Sequence, residues 1–419
     1  MKRVLRVTVI AALSCVVVTA HPAPTLPQRN VVLDWNRIVM TTVGIRNGVE
    51  QVRIAAIAHL AIFEAVNAVA GDFMPYLEST VPSPDASVEA AAIAAAHRVL
   101  VEYVREQEGQ LGIEREQALS AIKDGPAKRL GLSLGERVAD AMILNRENDG
   151  AEPPEIYTPI GSEPGQWQLT PSCTDGGLFL HWGRLKPFGI RRGQQFRAGP
   201  PPRLAGWRFA RDFHEVKTVG AEDSDARPTD RADVARFYAA VQSQHVWNPI
   251  AQQIATARRL SIPDSARLFA LLNMAMNDAL IAVMDSKYHY TFWRPETAIR
   301  AGDTDGNRHT EPDAAFKPFI PTPCHPSYPS AHASSSYAAR AVLEGLHGNG
   351  HHVVRLAATS LPDIELRYTR LAQVTRDIDD ARIYGGIHFR FDQEAGRRQG
   401  REVGEFVISH NLKRVNSRR

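Results

Sequence analysis

The sequence has 419 residues, of which 44% are hydrophobic and 23% are charged, a composition typical of folded globular proteins and unlike that of disordered chains. Its formal net charge is +3, but Lys2, Arg3 and Arg6 lie within the first 20 residues, which contain no acidic residue. Without that segment the chain is neutral, which excludes a general electrostatic argument for nucleic-acid binding, so we expect no nucleic-acid partner.

Residues 1–20 have the features of a secretory signal peptide. A basic start is followed by an apolar stretch from Val7 to Val18, and small residues precede a helix-breaking His21-Pro22 pair. Because the apolar stretch is shorter than the ~20 residues that a membrane span requires, we predict cleavage and a secreted or periplasmic protein. An uncleaved anchor and a lipoprotein modified at Cys15 are the alternatives.

No segment after residue 20 is predicted to span a membrane, since the apolar stretch 54–69 includes His59 and Glu64. Only Cys173 and Cys324 remain in the predicted mature chain. An oxidising compartment allows two cysteines to pair, but the spacing of these two does not decide whether they do.

Apolar residues at helical spacing dominate the rest of the chain, and strand signals are sparse. Residues 21–48 are predicted to be irregular. Residues 150–228 are rich in Pro, Gly and Trp, and their aromatic content predicts a long ordered excursion over a helical core rather than a linker. Ser133 and Glu136 fit a capping box at a helix start. The predicted helices cover 49–70, 87–108, 113–123, 133–148, 231–242, 249–258, 264–287, 330–347, 363–384 and 392–410. The chain is therefore predicted to be all-α, with one helical domain from residue 21 to residue 419.

The first chemically distinctive segment runs from Lys287 to Pro295. If one helix extends to Arg294, its side chain lies two turns after that of Lys287 and on the same face. Such a pair is usually a solvated face, but the aromatic residues between them indicate burial. Buried cations require anionic partners, and no acid lies between these two.

The second segment runs from Pro323 to Ala333, where closely spaced prolines precede a helix predicted to start near Ser330. The first turn of a helix offers free backbone N–H groups and the positive end of the helix dipole, which favours anion binding. Ser330 adds a hydroxyl and His332 an imidazole. The alternative is an ordinary serine cap with an incidental histidine.

The third segment runs from Arg382 to Asp392. The Gly385-Gly386 pair should end a helix, so His388 is predicted to stand on a turn. Asp392 follows four residues later and is predicted to hold one imidazole nitrogen, which would orient the ring as a ligand or nucleophile. The alternative is a salt-bridged surface turn.

Together the three segments supply a lysine, two arginines, a helix N-terminus, a hydroxyl and two histidines. This set suits a compact tetrahedral oxyanion, vanadate or phosphate, because arginine can hold two oxygens at once and lysine acts as a point charge.

The same motifs carry a resemblance to a known superfamily. Lys-x6-Arg-Pro at 287–295, Pro-Ser-x-His at 329–332 and Arg-x5-His-x3-Asp at 382–392 resemble the signature shared by vanadium-dependent haloperoxidases and type 2 phosphatidic acid phosphatases. The resemblance covers residues 275–400, and the residues around the motifs are closer to the haloperoxidases. Asp278, nine residues before the lysine, also fits that pattern.

The resemblance implies two four-helix bundles and a bound vanadate. His388 would be the axial ligand of vanadium, and His332 would exchange a proton at the apical oxygen. The equatorial oxygens would be held by Lys287, Arg294, Ser330, Arg382 and the backbone amide of Ala331.

Two positions qualify this expectation. Ala331 stands where the superfamily usually has glycine, so its β-carbon would share space with the anion while its backbone N–H survives. His325 is the residue type found in bromoperoxidases at this position, which favours bromide over chloride.

Three activities follow from one pocket. A haloperoxidase would oxidise halide with hydrogen peroxide, and Lys287 would polarise the bound peroxide. An acid phosphatase would hydrolyse phosphate esters, with His388 as nucleophile and His332 protonating the leaving group. A non-catalytic oxyanion-binding protein would use the same cations without turnover. We favour the haloperoxidase, and leave open whether it forms a homodimer.

Overall fold

The computed structural model describes residues 30–415, and within that range the chain forms thirteen α-helices and one antiparallel β-hairpin. The helices are α1 Val31–Val43, α2 Gly48–Ala70, α3 Val88–Tyr103, α4 Glu108–Ser120, α5 Pro126–Arg146, α6 Trp207–Val219, α7 Thr229–Ala240, α8 Ser243–Arg258, α9 Ile262–Tyr290, α10 Pro295–Arg300, α11 Ala331–His347, α12 Leu371–Tyr384 and α13 Arg390–His410. The strands are β1 Val354–Ala358 and β2 Leu361–Tyr368. The predicted signal peptide lies outside the described residues.

Eight of these helices form two groups of four. Helices α1, α2, α3 and α5 pack together, as do α9, α11, α12 and α13, and α2 packs against α9 to join the groups. The predicted fold class, all-α with two helical bundles, is confirmed. Helices α2 and α9 are long and apolar enough to cross a membrane, but 94% of each apolar window is buried inside the protein. Both are therefore core helices here.

Side-chain caps fix where several helices begin. Ser87 accepts a hydrogen bond from the Ala90 amide at 3.2 Å, and Ser330 accepts one from the Ala333 amide at 3.3 Å. Such caps satisfy a backbone donor that the helix itself leaves free. The second of them sets the start of α11, and hence the position of the residues that follow Ser330.

The structure corrects four local predictions. Helix α5 begins at Pro126, not at Ser133, whose hydroxyl lies within the helix and accepts from the Arg137 guanidinium at 2.5 Å. Residues predicted irregular before position 48 include α1, which buries Trp35, Val39 and Val43 at four-residue spacing. The first residues of the helix predicted from position 363 belong to β2 instead, and the helix α12 begins at Leu371. The excursion, predicted to have few helical repeats, contains α6.

The excursion, residues 150–228, is ordered over the core, as predicted, and Asp278 of α9 holds its segment 188–190 in place. The Asp278 carboxylate is fully buried and accepts three backbone N–H bonds, from Phe188 at 2.8 Å, Gly189 at 2.6 Å and Ile190 at 2.8 Å. Burial raises the pKa of Asp278 to about 6, and the three donors oppose that shift. Asp278 is therefore a structural anchor for the excursion.

Helices α11 and α13 approach closely at two glycines of α13. A β-carbon on Gly400 would lie 2.0 Å from the Ser334 carbonyl oxygen, and one on Gly396 would lie 2.6 Å from the Ser330 carbonyl oxygen. Backbone atoms cannot yield as a flexible side chain can. The small residues of α13 therefore allow the start of α11 to sit against it.

Gly400→Ala is expected to destabilise the protein by about 3 kcal/mol, because the methyl group would force the two helices apart. Gly112→Ala is the matched control, since nothing lies within 4 Å of its β-carbon position in α4. Alanine there should stabilise the fold by about 0.5–1 kcal/mol through helix propensity. Urea denaturation of the two variants measures both effects, and equal stabilities would contradict the packing argument.

Candidate oxyanion site

The two cations of the first motif converge without sharing a helix face. Helix α9 ends at Tyr290, Thr291 takes a left-handed conformation with φ of 44°, and Arg294 is the N-cap residue of α10. The condition for a shared helix face, one helix that reaches Arg294, is therefore not met. The chain turns instead, and both side chains reach the proline-rich segment before α11. Lys287 Nζ donates to the carbonyls of Pro326 at 2.6 Å and Ser327 at 2.8 Å.

The start of α11 supplies donors that the protein does not use. Ser330 Oγ accepts from the Ala333 amide, which leaves its own hydroxyl proton available. Within residues 30–415 the Ala331 amide N–H has no acceptor, as expected at a helix N-terminus. His332 is partly exposed and faces a cavity that the Ala331 side chain also lines. The start of α11 thus brings Ala331 and His332 to the cavity, with Ser330 as the cap that precedes them.

His388 stands on a turn after α12, as predicted. Gly386, with φ of 78°, makes that turn, and a β-carbon there would lie 2.3 Å from the Gly220 carbonyl oxygen. His388 Nδ1 lies 2.8 Å from Asp392 Oδ2, and Nε2 lies 3.1 Å from Arg294 Nη1. Because the guanidinium can only donate, Nε2 is the acceptor and Nδ1 carries the proton. The ring thus presents a basic nitrogen to the cations.

Arg382 lies in the last turn of α12 and is 3% exposed. Its Nη1 donates to the Tyr238 carbonyl at 3.0 Å. Its Nε is buried and has no hydrogen-bond acceptor among the described residues. Leaving a buried donor without a partner costs free energy, and an anion at this position would supply the acceptor.

A cavity of about 410 Å³ lies at the site, and four of the predicted residues line it, namely Ala331, His332, Arg382 and His388. Further polar groups in its lining come from Gln242, Ser243, Gln244, His325 and Ser335. Its apolar lining comes from the excursion, from two core helices and from the segment before α11, namely Val49, Val52, Leu178, Phe179, Leu280, Met284 and Ile320. Lys287, Arg294 and Ser330 are fully buried and do not line the cavity, but Arg294 contacts two lining residues, His325 and His388.

The electrostatics of the site indicate a missing negative charge. Burial lowers the pKa of Lys287 well below its ordinary value, and the charges of Arg294 and Arg382 lower it further. Burial also lowers the pKa of Arg294 to about 10 and that of Arg382 to about 9. Burial and these cations together lower the pKa of His332 and of His388 well below 6.5.

One carboxylate is in hydrogen-bonding contact with this cluster in the described part of the chain, that of Asp392. Its Oδ2 is taken by His388 and by the Ser327 hydroxyl, which donates at 2.6 Å. Three buried cations facing one engaged carboxylate are costly unless an anion neutralises them. The residues therefore fit vanadate or phosphate, which would bring charge and acceptors to Arg382 Nε, the Ser330 hydroxyl and the Ala331 amide.

Sequence reasoning missed several members of the site. Ser327 joins Asp392 to the segment that holds Lys287, and only its place among the motif's prolines could have drawn attention to it. Ser335 lies one turn after His332, lines the cavity and has a buried hydroxyl with no partner among residues 30–415. Its spacing from His332 was available in the sequence as a signal.

Binding of orthovanadate is expected to take up a proton at His332. In the ligand-free protein His332 is neutral at neutral pH, because its pKa lies well below 6.5. An anion would offset the neighbouring cations and raise that pKa, so binding takes up a proton between the two pKa values and affinity falls as pH rises through this interval.

Isothermal titration calorimetry in buffers of different ionisation enthalpy measures that proton uptake. His332→Gln is the control, because it removes the titrating group while the anion's own protonation is unchanged. A smaller uptake in the variant is expected. The same uptake in both proteins would contradict the assignment.

Comparisons with known proteins identify the family and the fold. Residues 267–417 match the family model described as the VCPO second helical-bundle domain, which confirms the superfamily recognised from the three motifs. No curated protein matches the chain.

Three solved structures share the fold. A structure described as the first bacterial vanadium-dependent iodoperoxidase is 24% identical, with a TM-score of 0.77, and the match covers 93% of this chain and 97% of that one. An apo-type bacterial vanadium-dependent chloroperoxidase is 18% identical, with a TM-score of 0.68, and the match covers 87% of this chain and 95% of that one. The holo-type chloroperoxidase structure has the same identity and TM-score, with 93% and 94% covered.

Proposed function

We propose that this chain, which belongs to the superfamily of vanadium-dependent haloperoxidases and type 2 phosphatidic acid phosphatases, is an enzyme that oxidises halide with hydrogen peroxide while holding vanadate in the oxyanion site. The observation that carries the proposal is the buried cation cluster of Lys287, Arg294 and Arg382 against one engaged carboxylate. A fold shared over nearly the whole length with haloperoxidases supports the choice of reaction.

Each residue has a distinct task in this proposal. His388 Nε2, oriented by Asp392, would be the ligand of vanadium. Arg294, Arg382, the Ser330 hydroxyl and the Ala331 amide would bind the vanadate oxygens by hydrogen bonds. When bound, vanadate would supply a Lewis acid that activates peroxide for attack by halide.

Proton transfer and charge are assigned to the two remaining residues. His332 is neutral and faces the cavity, so it can take the proton that hydrogen peroxide gives up on binding. Lys287 Nζ uses two of its three protons on the Pro326 and Ser327 carbonyls. The third proton can be directed at a peroxide oxygen, where it would stabilise the negative charge that develops on that oxygen during the reaction.

The second candidate is an acid phosphatase, because the same residues also suit a phosphate ester. His388 Nε2 would attack phosphorus and form a phosphohistidine, and His332 would protonate the leaving alcohol. His388 Nε2 is unprotonated and held in a fixed orientation, so it can serve as a nucleophile as well as a metal ligand. The two activities differ in their substrates, and a paired assay distinguishes them.

We propose that the enzyme oxidises bromide but not chloride. His325 lines the cavity and its Nδ1 accepts from Arg294 Nη2 at 3.0 Å, which keeps an imidazole at the position that suggested bromide over chloride. Iodide is more easily oxidised than bromide, so iodide turnover alone would not distinguish an iodoperoxidase from a bromoperoxidase. Turnover of iodide and bromide but not chloride is the expected result.

The experiment is a paired assay on one preparation. After loading with orthovanadate, the protein should brominate a phenolic dye in a reaction that requires both bromide and hydrogen peroxide. In parallel, the vanadate-free protein is tested for hydrolysis of phenyl phosphate. Hydrolysis that vanadate inhibits, without bromination, would reverse the choice in favour of the phosphatase. Vanadate binding without either reaction would identify a non-catalytic oxyanion-binding protein.

We further propose export through the 1–20 signal, with residues 21–419 forming the mature enzyme. Expression of the full chain followed by N-terminal sequencing of the exported product tests this. A mature N-terminus at His21 is expected, and an intact Met1 in the purified protein would contradict it. Sedimentation of the same product distinguishes a monomer from a homodimer.

A further inference from the structure

Two cysteines lie beside the oxyanion site on segments that run next to each other. Cys173 belongs to the excursion, and Cys324 to the proline-rich segment before α11. Hydrogen bonds on both sides of the pair join these segments: Ser172 Oγ donates to the Thr322 carbonyl at 2.8 Å, and the Leu178 amide donates to the Cys324 carbonyl at 2.7 Å. The two cysteines, far apart in sequence, are thereby held as neighbours.

Both thiols are free, and each lies against a backbone carbonyl of the excursion. Cys324 Sγ lies 3.5 Å from the carbonyl of Ser172, the residue before Cys173, and Cys173 Sγ donates to the Gly176 carbonyl at 3.3 Å. The pairing that the sequence left open is therefore not made in this structure, but Cys324 Sγ already lies against the residue that precedes Cys173.

Access to the two thiols differs. Cys324 is partly exposed and lines the same cavity as His332 and His388. Cys173 is 2% exposed and does not line the cavity. A small oxidant that enters the cavity therefore meets Cys324 first.

We propose that Cys324 and Cys173 form a peroxide-reactive thiol pair, in which Cys324 is oxidised by hydrogen peroxide and Cys173 then closes a disulfide with it. The Cys324 sulfur attacks one peroxide oxygen, the O–O bond breaks, and Cys324 becomes a sulfenic acid as one water leaves. The Cys173 sulfur then attacks the Cys324 sulfur, an S–S bond forms, and the sulfenic oxygen leaves as a second water. Two thiols are oxidised and one peroxide is reduced to two waters.

The roles follow from the surroundings of each sulfur. Burial and the neighbouring Cys324 thiol raise the pKa of Cys173 to about 12, so it remains a thiol and is a poor first target for peroxide. A sulfenic acid at Cys324 would form beside this thiol. Resolution as a disulfide prevents the further, irreversible steps to sulfinic and sulfonic acid.

The disulfide would also fasten the excursion to the segment that carries His325. The inference rests on the proposed function in one respect: hydrogen peroxide is a substrate of that reaction and so would enter this cavity. Forming the disulfide consumes one peroxide and protects Cys324, which lines the cavity, from further oxidation.

The test uses the full chain with Cys15→Ser, because Cys15 is the third cysteine in the sequence. The protein is exposed to hydrogen peroxide without vanadate or halide. Free thiols are counted, the intact mass is measured, and peptides are mapped. Both thiols should disappear together, the mass should fall by two hydrogen atoms, and a peptide linking Cys173 to Cys324 should appear. Oxygen added at Cys324 with Cys173 still free would overturn the proposal.

Two single variants in the same background separate the roles. In Cys173→Ser, Cys324 should gain oxygen atoms, because no thiol is present to resolve the sulfenic acid. In Cys324→Ser, Cys173 should remain reduced over the same exposure, and its equally rapid oxidation would overturn the assigned order. Thermal denaturation confirms that both variants are folded. This test contains no halide and no vanadate, so its outcome does not depend on whether the protein brominates the dye in the other assay.

Discussion

Replacing His332 with alanine is expected to reduce turnover by about 10²–10⁴-fold while orthovanadate still binds, because the variant loses proton transfer but keeps the cations. His332 faces the cavity at the start of α11, whereas the cations come from other segments and from α12. The same result is expected whether the reaction is bromination or phosphate-ester hydrolysis. Steady-state kinetics and equilibrium dialysis with orthovanadate measure the two quantities on one sample.

His351→Ala is the matched control, since His351 is exposed and lies in the loop after α11. Its turnover should equal that of the unmodified chain. A His332→Ala protein that keeps near-normal turnover would remove His332 from the chemistry. Loss of vanadate binding in that variant would instead make His332 part of the anion-binding set.

Arg382→Met is expected to have opposite effects on binding and on stability. Loss of a charge-assisted hydrogen bond to the anion should weaken orthovanadate binding by about 10- to 100-fold. The ligand-free protein should become more stable, because the removed guanidinium is buried and, among residues 30–415, has neither an acceptor for its Nε nor a carboxylate partner. Loss of the Nη1 bond to the Tyr238 carbonyl opposes this gain, so the net change is about 1 kcal/mol.

Thermal denaturation with and without orthovanadate measures both effects. The unmodified chain should gain stability when the anion is added, and Arg382→Met should gain little. Arg401→Met is the control, because the Arg401 side chain is 61% exposed on α13 and its pair with Glu405 is 3.8 Å long. An Arg382→Met protein that is less stable without anion and still binds it tightly would show that Arg382 serves the fold alone.

Much of the site was predictable because its key relationships are local in sequence. The cap at Ser330 and the contact between His388 and Asp392 depend on residues within four positions of each other, and both are present in the structure. The convergence of the three segments was predicted only from their shared chemistry and their resemblance to a superfamily. Neither periodicity nor composition shows which segments, far apart in sequence, lie close together in the fold.

The errors arose where tertiary contacts override local signals. A shared helix face for Lys287 and Arg294 required one helix to reach Arg294, but Thr291 takes a left-handed conformation that sequence patterns seldom reveal. Ser133 resembled a helix cap, yet proline at the first position of α5 starts that helix a full two turns earlier. The apolar wall of the cavity comes from segments as distant as Val49 and Phe179, whose meeting no local pattern predicts.

The central claim is that one vanadate in this pocket makes the chain a haloperoxidase. Its most direct test begins with protein freed of bound oxyanions by dialysis. Bromination of a phenolic dye, in the presence of bromide and hydrogen peroxide, is then followed as orthovanadate is added. We predict activity that is absent at first and rises to a plateau at one vanadate per chain. Stoichiometric vanadate binding without bromination, or bromination that does not depend on vanadate, would contradict the claim.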